Sequence, residues 1–193
     1  MDRFEYLIGL VSLIVGLGLA DLATSLHRLI KQRARTRWDG QTLATAAFAA
    51  FTLIWIWYNV WDLRRFPGVG GFWFYLSLLL EMTLLYLAAA ASLPDEAELA
   101  EGEGRDLTAY LARNRRYIWI LFGLFFTSYA LRSLYFASRD GVLAPQELLW
   151  IALTCIPIGL SVASVLARRR AVQWILLLAL SGWALFSAIG LNI

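Results

Sequence analysis

Hydrophobic residues occur along this chain in six long runs that are separated by short polar segments. The runs cover roughly residues 5–26, 41–61, 72–93, 117–138, 147–167 and 171–191. A bilayer core of about 30 Å is crossed by about 20 helical residues at about 1.5 Å each, which is close to the length of every run. Because lipid leaves the backbone of an open strand unpaired, each run is predicted to be a helix. The pattern therefore predicts an all-α bundle of six transmembrane helices.

The gaps and run ends carry the residues expected at helix and membrane boundaries. Pro67, Pro94 and Pro145 fall in three of the gaps. Six tryptophans lie near run ends, where amphipathic rings prefer the membrane interface: Trp38, Trp61, Trp73, Trp119, Trp150 and Trp174. Three others are deeper and are expected to pack between helices, with an aromatic cage for a cation as the alternative: Trp55, Trp57 and Trp183.

Composition excludes the soluble classes of protein. Of 193 residues, 60% are hydrophobic and 16% are charged, and mean hydropathy is +0.63. Soluble domains average about 45–50% apolar and about 25% charged residues. The chain is therefore predicted to be one integral membrane domain over 1–193. A single cysteine, Cys155, excludes an internal disulfide, and with one histidine, His27, neither a metal site nor a cofactor is expected.

The distribution of positive charge predicts the orientation. Gaps after the first, third and fifth runs hold twelve lysines and arginines, whereas the N-terminal segment and the other gaps hold four. Because cytoplasmic loops carry the excess of positive charge, both termini are predicted to be non-cytoplasmic. The first run follows an acidic start and precedes a basic cluster, so it is expected to be a membrane helix rather than a signal peptide. The net charge of +3 lies in these gaps, so the expected partner is the lipid bilayer and not nucleic acid.

Two charged segments are predicted to face the cytoplasm. The first is a basic cluster: Arg28, Lys31, Arg33, Arg35 and Arg37. The second is the loop 94–116, in which five acids precede Asp106, a plausible N-cap for a helix through Leu107 and Leu111 into the fourth span. Either the acidic and basic segments dock, or the basic cluster contacts a partner or anionic lipid at about 1 kcal/mol per charge.

Ionisable residues inside the spans are the strongest candidates for function. Insertion of such a side chain into the membrane costs about 2.5–3.5 kcal/mol, so the side chain is expected to have a partner, contact with water or a functional role. Glu81 lies about 14 Å and Arg132 about 9 Å below the outer surface at about 1.5 Å per residue. Their side chains can meet, so the two are predicted to pair. Two interpretations stay open: an ion pair that fixes helix register, or a gated or proton-coupled site.

The first span carries a third ionisable residue beside a row of small ones. Asp21 lies near the cytoplasmic surface, and Ser12, Gly16 and Ala20 recur every four positions. Because small faces let helices approach closely, this span is expected to be a central packing helix or a contact between identical chains. Asp21 is expected to face protein in either arrangement.

Polar residues in the second and fifth spans extend the candidate site. Asn59 and Asp62 lie on about one face of the second span, and Thr154 precedes Pro157 in the fifth. A mid-helix proline frees the carbonyl four residues earlier, which here belongs to Leu153. Broken helices supply backbone ligands in transporters. Glu81, Arg132, Asn59 and the Pro157 kink are therefore predicted to line an outward-opening polar cavity.

The first thirty residues resemble a family of membrane proteins. Carrying the resemblance are Phe4-Glu5-Tyr6, Ser12, Gly16-Leu17-Gly18, Asp21-Leu22 and Leu26-His27-Arg28-Leu29. This segment is similar to small polytopic inner-membrane proteins of bacteria in an uncharacterised family. The resemblance implies a multi-pass protein of the bacterial inner membrane and implies no chemistry.

Three functions follow from these residues. The first is a small channel or transporter for an ion or small solute, with proton coupling as one variant and Glu81 and Arg132 at its centre. The second is a non-transporting scaffold, sensor or accessory subunit that binds a protein or anionic lipid through its charged loops. The third is an enzyme acting on lipid, for which Asp21 and His27 are the acid–base candidates. The third is disfavoured because no paired carboxylates, Ser/His pair or metal cluster is evident.

Overall fold

Six α-helices form nearly all of the described chain. The computed structural model describes residues 3–62, 71–95, 105–139 and 145–190. Its helices are α1 (Arg3–Lys31), α2 (Gly40–Asp62), α3 (Phe72–Ala90), α4 (Leu107–Arg139), α5 (Pro145–Leu166) and α6 (Arg170–Gly190). A 3-10 turn (Arg33–Arg35) and two short strands, β1 (Thr36–Arg37) and β2 (Arg105–Asp106), complete the elements. The predicted all-α bundle of six helices is confirmed.

Helix lengths match those needed to cross a bilayer. Five of the described helices are long and apolar enough to span a membrane. The remaining one, α5, has 22 residues and is about 33 Å long at about 1.5 Å per residue; its described apolar stretch is Ala152–Leu166. Most observed ends lie within a few residues of the predicted ones. The exceptions are the basic ends of α1 and α4, which extend beyond their apolar runs into charged sequence.

Asp106 sets the early start of α4. Its Oδ1 accepts hydrogen bonds from the backbone N–H groups of Thr108 at 2.8 Å and Ala109 at 3.2 Å. These bonds satisfy donors that the first turn of a helix leaves free. They also lower the pKa of the Asp106 carboxyl, with the Ala109 N–H as the largest cause. The predicted N-cap is confirmed, and residues 107–116 are helical rather than loop.

The helices pack in a closed arrangement around α2 and α4. Helix α4 lies against α3 and α5, α1 lies against α2 and α3, and α6 lies against α5 and α2. Aromatic rings fill the centre: the Phe48 and Phe122 ring centroids are 5.1 Å apart, and those of Phe125 and Phe126 are 5.0 Å apart. On the outside, all six helices expose large apolar side chains, including Leu13, Ile54, Trp73, Leu131, Val162 and Leu178. This distribution suits helices that face lipid.

Three connections gather at one end of the bundle. Thr36 pairs with Arg105 and Arg37 with Asp106 in a two-residue parallel bridge between β1 and β2. Asp39 and Arg170 form an ion pair between the start of α2 and the start of α6. The segments after α1, before α4 and before α6 therefore lie together, which is the arrangement predicted from the positive charge. We call this the basic end.

Candidate functional site: a sealed ion pair and a basic end

Glu81 of α3 and Arg132 of α4 form the predicted pair. Arg132 Nε donates to Glu81 Oε1 at 2.8 Å, and Arg132 Nη2 donates to Glu81 Oε2 at 2.9 Å. Both carboxylate oxygens are thereby engaged by one planar guanidinium, the geometry of the strongest charge-assisted pairs. The side chain of Glu81 has a solvent-accessible fraction of 0%, and that of Arg132 has 7%. The pair is sealed inside the bundle.

Aromatic rings surround the guanidinium side of the pair. The Cζ atom of Arg132 lies 5.2 Å from the centroid of the Tyr129 ring, which favours the cation through its π face. The Tyr129 ring in turn packs against that of Trp55 at 5.5 Å, and Trp55 packs against Trp183 at 6.0 Å. Trp55 Nε1 is buried without a hydrogen-bond partner in the described structure. Arg132 is thus held from one side by charge and from another by an aromatic stack.

Pro157 in α5 frees the Leu153 carbonyl, as predicted, but another helix takes up that acceptor. The indole N–H of Trp183 in α6 donates to the Leu153 oxygen at 3.0 Å. Pro157 has no backbone N–H, so it cannot donate the helical hydrogen bond that the Leu153 carbonyl would otherwise accept. Because a tryptophan of the same chain fills that role, the carbonyl that Pro157 frees forms a contact between α5 and α6.

The predicted site residues do not line one cavity. Asn59 is half-buried and its Nδ2 donates to the carbonyl of Trp55 at 2.7 Å on its own helix. Thr154 is half-buried and has interactions of its own. The side chain of Asp62 lies outside the described residues. Since Glu81 has no accessible surface, an outward-opening cavity at the pair is not formed; the expectation failed because Arg132 fills the space beside the carboxylate.

Helix α1 is peripheral rather than central. Its buried face is formed mainly by large residues, whereas Gly16 and Ala20 are exposed and Ser12 is half-buried. The buried residues of α1 are Phe4, Leu7, Val11, Val15, Gly18, Leu22, Ser25 and Leu29. Gly18 instead makes the close approach to α2, since a Cβ atom there would lie 3.0 Å from Leu53 Cδ1. The expectation of a central packing helix is therefore wrong, because large residues supply its packing face. The alternative, a contact between identical chains, stays a prediction.

Two other expected orientations also differ from the structure. Trp57 is exposed rather than packed between helices, although its Nε1 donates to Ser12 Oγ at 2.9 Å across α1 and α2. Asp21 is half-buried, and no described residue forms an ion pair or hydrogen bond with its carboxylate. Asp21 takes no part in the hydrogen bonds of the Glu81–Arg132 pair.

Asp39 is the central polar residue of the basic end. Its side chain is only 3% exposed and pairs with Arg170 of α6. Its Oδ2 accepts from the Thr42 backbone N–H at 3.0 Å, which caps α2. The Thr42 hydroxyl lies 2.9 Å from the same oxygen and 3.0 Å from the Leu107 carbonyl oxygen at the start of α4. Asp39 thereby connects α2, α4 and α6.

Replacement of Asp39 by alanine is expected to lower the free energy of unfolding by about 1–2 kcal/mol, which is the upper half of the range for loss of an N-cap. The Arg170 partner adds little, because its side chain is 51% exposed and solvent screens the pair. Reversible unfolding in mixed micelles measures this change. As a control, Asp39→Asn keeps the cap and should cost less than half as much; an equal cost in both variants would contradict the capping role.

The residues of the predicted basic cluster make different contacts. Arg37 binds Asp106, with Nη1 3.1 Å from Oδ2, and Arg28 is half-buried with interactions of its own. Lys31, Arg33 and Arg35 are exposed and make no ion pair in the described part of the chain. The acidic stretch predicted as an alternative docking partner falls mostly on 96–104, outside the described residues. Asp106, which follows that stretch, is the carboxylate that meets Arg37.

Sequence reasoning missed Asp39 and Tyr129, which organise these sites, and it missed the hydrogen bond of Trp183 to Leu153. The predicted packing of Trp183 between helices is confirmed by its ring contacts with Trp55 and Phe126. The ion pair of Asp39, the packing of Tyr129 on Trp55 and the Trp183 bond each join different helices, so they do not stand out within one segment. Asp39 did carry a local signal, because an aspartate before Gly40 and three residues before Thr42 fits an N-cap. Among the described residues, no three His, Cys, Asp or Glu side chains gather where they could hold a metal ion.

Comparisons with family models, with curated proteins and with solved structures found no match for this chain. The resemblance of residues 4–29 to bacterial inner-membrane proteins therefore stays an expectation. Function is argued below from the geometry alone.

Proposed function

We infer that this chain is a multi-pass membrane scaffold or accessory subunit that does not conduct, and that it binds an anionic partner through its basic end. The observation that carries this proposal is the sealed Glu81–Arg132 pair, in which Glu81 is 0% exposed and both its oxygens are bound. The six-helix bundle provides the membrane anchor. We place it in the bacterial inner membrane with both termini outside the cytoplasm.

The geometry of the pair favours a structural role over a transport role. A carboxylate that relays protons or binds a cation must reach water from at least one side, whereas the side chain of Glu81 has no solvent-accessible surface. Taking two charges out of water is costly, and the cost is offset only where geometry and additional hydrogen bonds are good. Here the pair joins α3 to α4 in a fixed register. That is the use expected of a buried polar pair that sets helix arrangement.

Exposed cations at the basic end support the binding role. Seven of them make no ion pair in the described part of the chain: Lys31, Arg33, Arg35, Arg113, Arg116, Arg168 and Arg169. Juxtamembrane cations attract anionic surfaces by about 1 kcal/mol each. The exposed Gly16 and Ala20 of α1 support a contact with a second copy of this chain.

Proteoliposomes loaded with a pH-sensitive dye test the absence of conduction. Under an imposed pH gradient and membrane potential, the wild-type chain and Asp21→Asn are both expected to leak protons no faster than protein-free liposomes. An added protonophore shows that the dye responds. Proton flux above background that disappears in Glu81→Gln but persists in Asp21→Asn would contradict the proposal.

A proton-coupled channel or transporter is the second candidate, and one observation favours it. Trp55 Nε1 is a buried donor without a described partner, in the ring stack that continues through Tyr129 to Arg132. An unpaired donor is costly in a sealed core, and a water molecule or ion that reaches it is one explanation for such a group. Flux in the same liposome assay that is altered by Trp55→Phe would favour this second function.

A further inference from the structure

The basic end carries four arginines, on two segments, that form no ion pair with a described carboxylate. Arg115 and Arg116 lie in the basic-end part of α4, and Arg168 and Arg169 lie between α5 and α6. We call these four residues the arginine cluster. Three carboxylates described at this end are already engaged: Asp39 by Arg170, Asp106 by Arg37, and Asp95 in interactions of its own.

One contact links α4 to the end of α5 from which the second segment starts. Arg115 Nη1 donates to the carbonyl oxygen of Ser164, in the last turn of α5, at 3.3 Å. A hydrogen bond from Ala167 N–H to the Ala163 carbonyl follows that turn, and Arg168 and Arg169 come directly after it. The half-buried Arg115 therefore contacts the helix end that leads into the connection with Arg168 and Arg169.

Unpaired positive charges on these two segments favour an anionic ligand. Arg115 and Arg116 are adjacent and repel one another, and Arg116, Arg168 and Arg169 are exposed with no ion pair in the residues described. An anion beside such like charges offsets their repulsion. Arginine also presents the planar donor fork that binds phosphate oxygens in a bidentate manner.

The depth of the cluster identifies the source of the phosphate. Arg116 directly precedes Tyr117, where the apolar run of α4 begins, and Arg168 comes two residues after Leu166, where α5 ends. Trp174 packs over Gly40 at the same end of the bundle, a position typical of an interfacial tryptophan. These residues lie at the boundary of the hydrocarbon, which is the level of lipid headgroups. Basic pockets between helices on the cytoplasmic side bind such headgroups.

We propose that the arginine cluster is a binding site for the phosphate headgroup of an anionic phospholipid. The inference rests on the proposed function, since it names the partner of the basic end. The lipid phosphate lies between α4 and the connection from α5 to α6, and its acyl chains extend along the exposed apolar surface of α5, which includes Val162 and Leu166. The phosphate supplies the negative charge that the described residues do not provide there.

Native mass spectrometry of the full chain in detergent, titrated with phosphatidylglycerol or phosphatidylcholine, tests the site. The wild-type chain is expected to retain the anionic lipid in preference to the zwitterionic one. Each cation contributes about 1 kcal/mol to the binding free energy, and about 1.4 kcal/mol corresponds to a tenfold change in the dissociation constant. Arg168→Gln/Arg169→Gln removes two cations and should therefore weaken the binding of the anionic lipid roughly 30-fold. Both residues are exposed, so the thermal midpoint of the variant should be unchanged.

Arg33→Gln/Arg35→Gln is the matched control, because it removes two exposed, unpaired cations from the same end but outside the cluster. It is expected to retain the lipid with a much smaller loss. Equal losses in the two variants, or no loss in either, would overturn the local site. Displacement by inorganic phosphate alone would assign it to a soluble anion, and tighter binding of a poly-glutamate peptide would assign it to an acidic protein; both overturn the proposal.

Failure of this site and failure of the proposed function give different results. If the wild-type chain shows no preference for phosphatidylglycerol over phosphatidylcholine and no proton flux, only the arginine cluster as a lipid site is overturned. Proton flux through Glu81 contradicts the non-conducting role, whatever the lipid measurement shows.

Discussion

Glu81→Gln is expected to lower the free energy of unfolding by about 3–5 kcal/mol, the cost of breaking a buried ion pair from one side. The amide keeps the shape of the carboxylate but leaves the Arg132 charge uncompensated at 7% exposure. The amide oxygen can accept one of the two hydrogen bonds of 2.8 and 2.9 Å, whereas the amide nitrogen is a donor and cannot accept the other. Reversible unfolding of the purified chain in mixed micelles, with increasing dodecyl sulfate, measures the change.

Two further variants separate the pair from general effects of polar substitution. Glu81→Leu/Arg132→Met removes both charges and retains volume, so it should recover most of the stability that Glu81→Gln loses. Asp21→Asn alters another carboxylate within a span, one that no described residue binds, and should change stability by less than about 0.5 kcal/mol. A double variant as unstable as Glu81→Gln would contradict a role limited to charge compensation.

Trp183→Phe is expected to cost about 1–3 kcal/mol, because it leaves the Leu153 carbonyl without a donor. That oxygen accepts from Trp183 Nε1 at 3.0 Å, while Pro157 provides no N–H to it. The smaller ring also leaves space beside Phe126 and Trp55, whose rings contact Trp183. The same unfolding measurement applies.

A double-mutant cycle with Pro157→Ala isolates the hydrogen bond from the loss of volume. Alanine at 157 restores a backbone N–H that can reach Leu153 within α5. Trp183→Phe should then cost at least about 1 kcal/mol less than in the wild-type background, since only the packing loss remains. An identical cost in both backgrounds would show that the indole bond to Leu153 contributes nothing.

The sequence predicted the elements well because each helix depends on local information. The length of each hydrophobic run, compared with the thickness of the bilayer, predicted six helices. The excess of positive charge in alternate gaps predicted which connections share one end. Asp106 as an N-cap also depends only on the next three residues, whose N–H groups it binds. Even the Glu81–Arg132 pair could be predicted, because helical rise fixes the depth of a residue in a membrane span.

Rotation about each helix axis could not be predicted in the same way. Depth alone does not distinguish a pair that lines a cavity from one enclosed by Tyr129 and neighbouring rings. The small residues of α1 were likewise expected to face protein, yet its larger residues do so. The bonds from Asp39 to Arg170 and from Trp183 to Leu153 join distant segments, so they depend on which helices become neighbours.

The most direct test of a sealed, non-conducting pair is the contact of Arg132 with water in a bilayer. Solid-state NMR of chain labelled with ¹⁵N-arginine, using transfer of polarisation from water, reports this contact for each guanidinium. Signals that disappear in Arg132→Lys identify the residue, and the exposed Arg33 and Arg35 serve as internal controls. We predict strong transfer to those controls and none to Arg132. Transfer to Arg132 equal to that of the controls would contradict a sealed pair and favour a hydrated path through the bundle.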